Sequence, residues 1–145
     1  MTAFQACGSH ICVLLVEDLV GDATAITRAL SYSEASAGLE IKRATRLQES
    51  INAIQQNKID VVLLDLSLPD AKDIKAVVEL NRLFPTLPII VISDQSDERI
   101  IKRALDNGAC KFLSKSESSG ILIRKTINDV LAMSARILEK ADGVA

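Results

Sequence analysis

Aromatic side chains are nearly missing from this chain: 145 residues contain no Trp, one Tyr and three Phe. A core must therefore be assembled from Ile, Leu, Val and Ala, and stacking of nucleic-acid bases on aromatic platforms has little to use. His10 is the only histidine, which leaves no material for a His-rich metal site or a Ser-His-Asp triad in an ordered setting. The formal charge is only −2, so no broad basic face recommends nucleic acid or an anionic membrane as a partner. No apolar run approaches the roughly 20 residues of a bilayer span. Met1 to His10 lacks the basic-then-apolar order of a secretory leader. Cys7, Cys12 and Cys110 are odd in number and irregular in spacing. They are expected to be reduced, mostly buried thiols of a cytoplasmic protein.

What is present is an alternation of apolar runs with helical patterns. Ile11–Val16, Asp60–Leu64 and Ile89–Ile92 read as strands buried on both faces, Leu39–Arg43 as a short alternating strand nearer the sheet edge, and Cys110–Ser114 as the last strand. Between them, Ala23, Ile26 and Leu30 recur at helical spacing, then Leu47, Ile51 and Ile54 behind a Thr45/Gln48 capping box, then Val77, Leu80 and Phe84. Ser96, Asp97 and Glu98 open a fourth helix with Ile100, Ile101, Ala104 and Leu105 facing inward, and Asn107-Gly108 stops it. A fifth helix runs from about Ser119 to about Lys140, with Ile123, Ile127, Val130, Leu131 and Leu138 inward. Ile121, Leu122, Met133 and Ile137 lie outside that stripe, as core overflow or as a homodimer or partner interface. Five strands and five helices in strict alternation predict an α/β, doubly wound parallel sheet covered on both faces. The expected organisation is a flexible arm over 1–10, one domain over 11–140 and a tail over 141–145.

In open parallel sheets, sites form beyond the carboxyl ends of the strands. The first strand ends in Glu17-Asp18, with Asp22 a turn later; the third ends in Asp65, the fourth in Ser93 and the fifth in Lys115. Alone, an acidic pair is often a helix cap and a strand-end Asp a turn former. Together they predict chemistry. Clustered carboxylates need a hard cation, which suits Mg²⁺, and a metal there can neutralise charge during phosphoryl transfer. Asp65 is then the nucleophile that forms an acyl phosphate, with Lys115 and Ser93 offering a charge and a hydrogen bond to phosphoryl oxygens.

From Ile11 to about Leu138 the sequence resembles response-regulator receiver domains. Val16-Glu17-Asp18 with Asp22, the segment Val61 to Asp70 around Asp65, Ile89 to Ser93, and Gly108 to Lys115 carry the resemblance. It implies a flavodoxin-like strand order 2-1-3-4-5. It also implies phosphotransfer from a sensor histidine kinase or a histidine phosphotransfer protein, with no catalysis beyond the domain's own phosphorylation and dephosphorylation. Glu17, Asp18, Asp65 and the Ser67 backbone carbonyl would hold Mg²⁺, and Ser93 with Phe112 would form a switch pair. Ser67 and Gln95 would tune the phosphoryl lifetime. The output would be a changed surface on the fourth helix, fifth strand and fifth helix, read by a downstream protein. With no output domain after Leu138, a stand-alone regulator is expected.

Three departures from the family pattern stand out. Asp94 follows Ser93 where a small residue is usual, setting a carboxylate near an incoming dianion. Ser116 replaces a cis proline after Lys115, which bears on the lysine's aim. Asp73 replaces a common glycine and is read as an acceptable helix start. The first two support an alternative, a pseudo-receiver acting as a phosphorylation-independent interaction module. A flavin carrier or small esterase on the same fold lacks a phosphate loop after Val16 and a G-x-S-x-G segment.

Overall fold

The computed structural model describes residues 10–31, 37–94 and 97–144, with side chains as far as 134. Cys7, Gln95, Ser96 and most of the arm assigned to 1–10 lie outside the described residues. The elements in chain order are β1 (Ile11–Val16), α1 (Val20–Leu30), β2 (Leu39–Ala44), α2 (Leu47–Gln56), β3 (Val61–Leu64), β4 (Ser67–Leu68), β5 (Ala71–Lys72), α3 (Lys75–Leu83), β6 (Ile89–Ser93), α4 (Glu98–Asp106), β7 (Lys111–Ser114) and α5 (Gly120–Val144). Five of the strands form one parallel sheet in the order β2-β1-β3-β6-β7. Counting only these long strands, that is the predicted order 2-1-3-4-5.

Continuous apolar runs make the central strands because both faces of the sheet are covered. Along β1, Val13 and Leu15 pack with α1 and α5 residues, while Leu14 and Val16 pack with residues of α2, α3 and α4. The period-two pleat divides β3 the same way, Val61 and Leu63 against Val62 and Leu64, and β6 likewise. Burying each such Leu or Ile contributes roughly 1.5–3 kcal/mol. Parallel register brings Val16 beside Leu64, and Ser93 beside Ser114, so the residues following these strands emerge together at one edge.

Several local expectations are corrected. No capping box opens α2: its N-cap is Arg46, without a side-chain cap, and Glu49 instead accepts from the Thr45 backbone N–H and hydroxyl. A two-strand hairpin, β4–β5, follows Asp65, where the sequence pattern marks no element. Asp73 is not a helix start; it holds φ 59°, the left-handed conformation that favours glycine and that Asp tolerates better than most residues, and Ile74 is the N-cap of α3. Leu105 faces outward at 41% exposure because only Ala104 of α4 reaches the core fully. Cys12 is buried as expected, but Cys110 is exposed, since it precedes β7 instead of lying within it. Helix α5 continues to Val144, through most of the segment assigned to a tail. Ile121, Leu122 and Met133 are exposed, as their place outside the inward stripe predicts. Among the described residues no helix is long and apolar enough to cross a membrane.

Candidate functional site

The backbone brings the site together. The Asp65 N–H donates to the Val16 carbonyl at 3.0 Å, which sets the residue after β3 beside Glu17. The Lys115 N–H donates to the Ser93 carbonyl at 3.0 Å, doing the same for β7 and β6. As a result one carboxylate oxygen from each of Glu17, Asp18 and Asp65 lies within 4.8 Å of the others. Glu17 and Asp65 are buried and Ser93 is 1% exposed.

The Lys115 ammonium lies among these groups, 2.5 Å from Glu17 Oε1, 2.8 Å from Asp22 Oδ2 and 3.3 Å from Asp65 Oδ1. Burial by itself would lower the lysine's pKa, but the hydrogen bonds to Asp22 and Glu17 and the charge of Asp65 outweigh it and hold the pKa above its ordinary value. Burial pushes the Glu17 carboxyl up; the Lys115 hydrogen bond pulls it partly back, and the Asp65 charge adds to the rise. The remaining oxygens are held by backbone: Leu19 N–H donates to Glu17 Oε2 at 3.3 Å and Ser67 N–H to Asp65 Oδ2 at 3.2 Å.

Two oxygens are poorly satisfied. Asp18 Oδ1 is buried with no hydrogen-bonding partner, and Glu17 Oε1 has only the Lys115 ammonium. A buried carboxylate oxygen left this way is costly. Three close carboxylates with an orphaned oxygen suit a hard divalent cation that keeps several waters, so the donor set fits Mg²⁺.

A cleft of about 280 Å³ opens onto the site, lined by Leu19, Asp65, Ser67, Ser93, Asp94 and Lys115. Asp94 therefore does stand on the rim, as its sequence position suggests. The peptide after Lys115 is trans, yet the ammonium reaches Glu17, Asp22 and Asp65, so a proline is not required to aim it. Phe112 is half-buried and packs on the core cluster that includes Val91 and Ala104. It pairs with Val91 on the strand that ends in Ser93, two residues before the Ser93–Ser114 pair, so the expected switch residues occupy one face of adjacent strands.

The sequence brought out Asp22 as one more carboxylate, whereas its contact is with Lys115. Two participants were missed. Arg43, exposed at the end of β2, donates to the Glu17 carbonyl at 3.2 Å. Asp70 accepts from the Leu47 and Gln48 N–H groups at 2.7 and 3.0 Å, capping α2 from 22 and 23 residues away. Their partners are distant in sequence, so no local pattern could have signalled either role.

Residues 13–127 match the response regulator receiver domain family. The transcriptional activator protein ExaE of Pseudomonas putida is 28% identical over 121 residues, covering 82% of this chain and 56% of that protein. The KDP operon transcriptional regulatory protein KdpE of Escherichia coli is 36% identical over 110 residues, 76% of this chain and 47% of that one. The chain thus spans about half the length of these regulators. The chemotaxis protein CheY of Thermotoga maritima is 29% identical over 98 residues, covering 67% of this chain and 82% of that protein. A CheY-like receiver domain protein from Methanospirillum hungatei shares the fold, with a TM-score of 0.76 at 19% identity over 88% of this chain and 98% of that one.

Proposed function

The chain belongs to the response regulator receiver domain family, and on that premise we propose that Asp65 is its phosphoacceptor. In the proposed reaction an Asp65 oxygen attacks phosphorus on a phosphohistidine of a sensor kinase or histidine phosphotransfer protein. The P–N bond breaks, its electron pair returns to the imidazole, and an aspartyl phosphate forms. Glu17, Asp18, Asp65 and the Ser67 carbonyl would hold Mg²⁺, which would supply positive charge to the phosphoryl oxygens. Lys115 moves its ammonium from the carboxylates to a phosphoryl oxygen, and the Ser93 hydroxyl hydrogen-bonds another. Phe112 follows Ser93, and the altered surface of α4, β7 and α5 is read by a downstream protein.

The observation that carries this reading is the gathering of Glu17, Asp18 and Asp65 within 4.8 Å beside Lys115, with Asp18 Oδ1 buried and unpartnered. Incubation with Mg²⁺ and acetyl phosphate, followed by intact mass measurement, is expected to add one phosphoryl group to the wild type. Omission of Mg²⁺ or the substitution Asp65→Asn is expected to abolish the addition. A stable phosphoryl group on Asp65→Asn at another residue would reassign the acceptor.

A further inference from the structure

We infer that Asp70 is a positioning residue for the metal site, holding the Ser67 carbonyl in place by capping a helix that belongs to another part of the sheet. The inference rests on the proposed metal reading of Glu17, Asp18, Asp65 and Ser67, and it concerns a residue that touches none of the reacting atoms.

Helix α2 has no side-chain cap of its own at Arg46. Its first N–H groups would be orphaned at the helix start, and the Asp70 carboxylate takes two of them, Leu47 N–H on Oδ1 and Gln48 N–H on Oδ2. Such a bond pair fixes both the distance and the tilt of the carboxylate, so residue 70 is pinned to α2 and to the end of β2 next to it. From there the path to the metal site is short and stiff. Leu68 and Ala71, one on each side of the turn that contains Asp70, are buried at 1% and 2% exposure and pair across the β4–β5 hairpin. Ser67 pairs with Lys72 in the same hairpin, and its N–H donates to Asp65 Oδ2. The segment from Asp65 to Asp70 is therefore anchored at one end by the acceptor carboxylate and at the other by α2. Its one candidate metal-binding carbonyl sits between the anchors.

A ligand held this way binds without first being ordered, which is how outer contacts raise metal affinity. Magnesium is the cation most sensitive to such placement because it demands near-octahedral geometry. Removing the Asp70 anchor leaves Glu17, Asp18 and Asp65 where they are and frees the Ser67 end of the site.

The test is Mg²⁺ titration of the full chain, followed by the backbone amide NMR shifts of residues 65–70, alongside urea denaturation followed by circular dichroism. Asp70→Ala is expected to weaken Mg²⁺ binding roughly tenfold. Asp70→Asn, which keeps one acceptor oxygen and loses the charge, is expected to stay within about threefold of wild type. Glu49→Ala removes the bonds from Thr45 at the same helix end but touches nothing in the 65–70 segment. It is expected to lower stability and leave Mg²⁺ affinity unchanged. Wild-type affinity in Asp70→Ala would overturn the inference, as would equal losses in Asp70→Asn and Asp70→Ala, or equal losses in Asp70→Ala and Glu49→Ala. A wild type that binds no Mg²⁺ at all would overturn the metal reading itself, a result distinguishable from the others before any variant is made.

Discussion

Helices α3 and α4 lie on the same side of one sheet but are held to it very differently. Helix α3 buries Ala76, Val77 and Leu80, whereas α4 buries only Ala104, with Ile100 and Ile101 half-covered and Leu105 turned to solvent. The strands beneath repeat the contrast. Every residue of β3 and β6 is buried, and no residue of β7 is. Across the gap, α4 is tied to the β5–α3 connection by an exposed ion pair, Arg103 to Asp73 at 3.2 Å, a contact of small worth. Acidic groups of the site emerge from the deep part of the molecule, on β1 and β3, while Lys115 and Phe112 belong to its thin edge. In the proposed reaction, a phosphoryl group between the two parts would need a fixed floor to be attacked from and a movable wall to report through, and segments with few buried contacts are the ones that rearrange cheaply.

The largest expected effect tests the depth of the fixed part. A Cβ added at Gly120 would lie 1.9 Å from the Ala29 carbonyl oxygen and 2.6 Å from its carbon, both backbone atoms that have nowhere to go. Gly120→Ala is expected to cost about 3 kcal/mol as α1 and α5 are forced apart. Leu63→Ala, at a fully buried position of β3, is expected to cost about 3 kcal/mol or more through the cavity it leaves. Ile100→Ala on α4 is expected to cost about 1 kcal/mol, since the side chain is already half in water. Urea denaturation of the three variants provides the check. Equal losses would erase the distinction between floor and wall.

Lys115 bridges the two parts, and its removal sharpens the comparison. Lys115→Ala leaves Glu17, Asp22 and Asp65 without their shared ammonium, and breaking a buried charged group's pairing is expected to cost about 3 kcal/mol in the metal-free protein. Saturating Mg²⁺ is expected to restore most of that loss, because at the proposed site it would share Glu17 and Asp65 with the lysine and would favour the folded chain. A loss of the same size with and without Mg²⁺ would mean that lysine and metal do not share the carboxylates.

The deep part of the molecule was also the legible part. Runs such as Val61–Leu64 and Ile89–Ile92 declare a doubly covered strand by composition alone, and strict alternation then leaves little freedom in topology. The convergence of the candidate residues was legible for the same reason: Glu17, Asp65 and Lys115 each follow a strand and Ser93 ends one. Errors gathered where the decisive contact is not local. Leu105 fits a helical stripe, but the stripe's width depends on how closely α4 approaches β7, which spacing along the helix does not encode. Thr45 and Gln48 match a capping pattern, yet the donors of α2 are taken by Asp70, brought there by the hairpin. Asp73 was read by its chemistry as a helix start, while its backbone is set by the turn leaving β5.

The smallest effect concerns acid, and it separates two carboxylate caps, one in each part. Asp70 caps α2, and although burial would raise its carboxyl, the Gln48 and Leu47 N–H groups hold it below the usual value. Asp97 caps α4, held low by its bonds to the Arg99 side chain and backbone N–H. A carboxylate whose folded pKa is depressed contributes stability that is complete above its unfolded pKa and lost as pH falls through the lower folded value. The cost of Asp70→Asn, under about 1 kcal/mol for a cap that keeps one oxygen, is therefore expected to be constant above about pH 4 and to shrink in more acid solution. Asp97→Asn is expected to leave the urea midpoint unchanged at every pH if α4, with Ala104 its one buried residue, opens ahead of the rest, and to speed amide exchange in the first turn of α4 instead. Should Asp97→Asn move the global midpoint with the same acid dependence as Asp70→Asn, α4 unfolds together with the rest, and the movable wall is as firmly built as the floor.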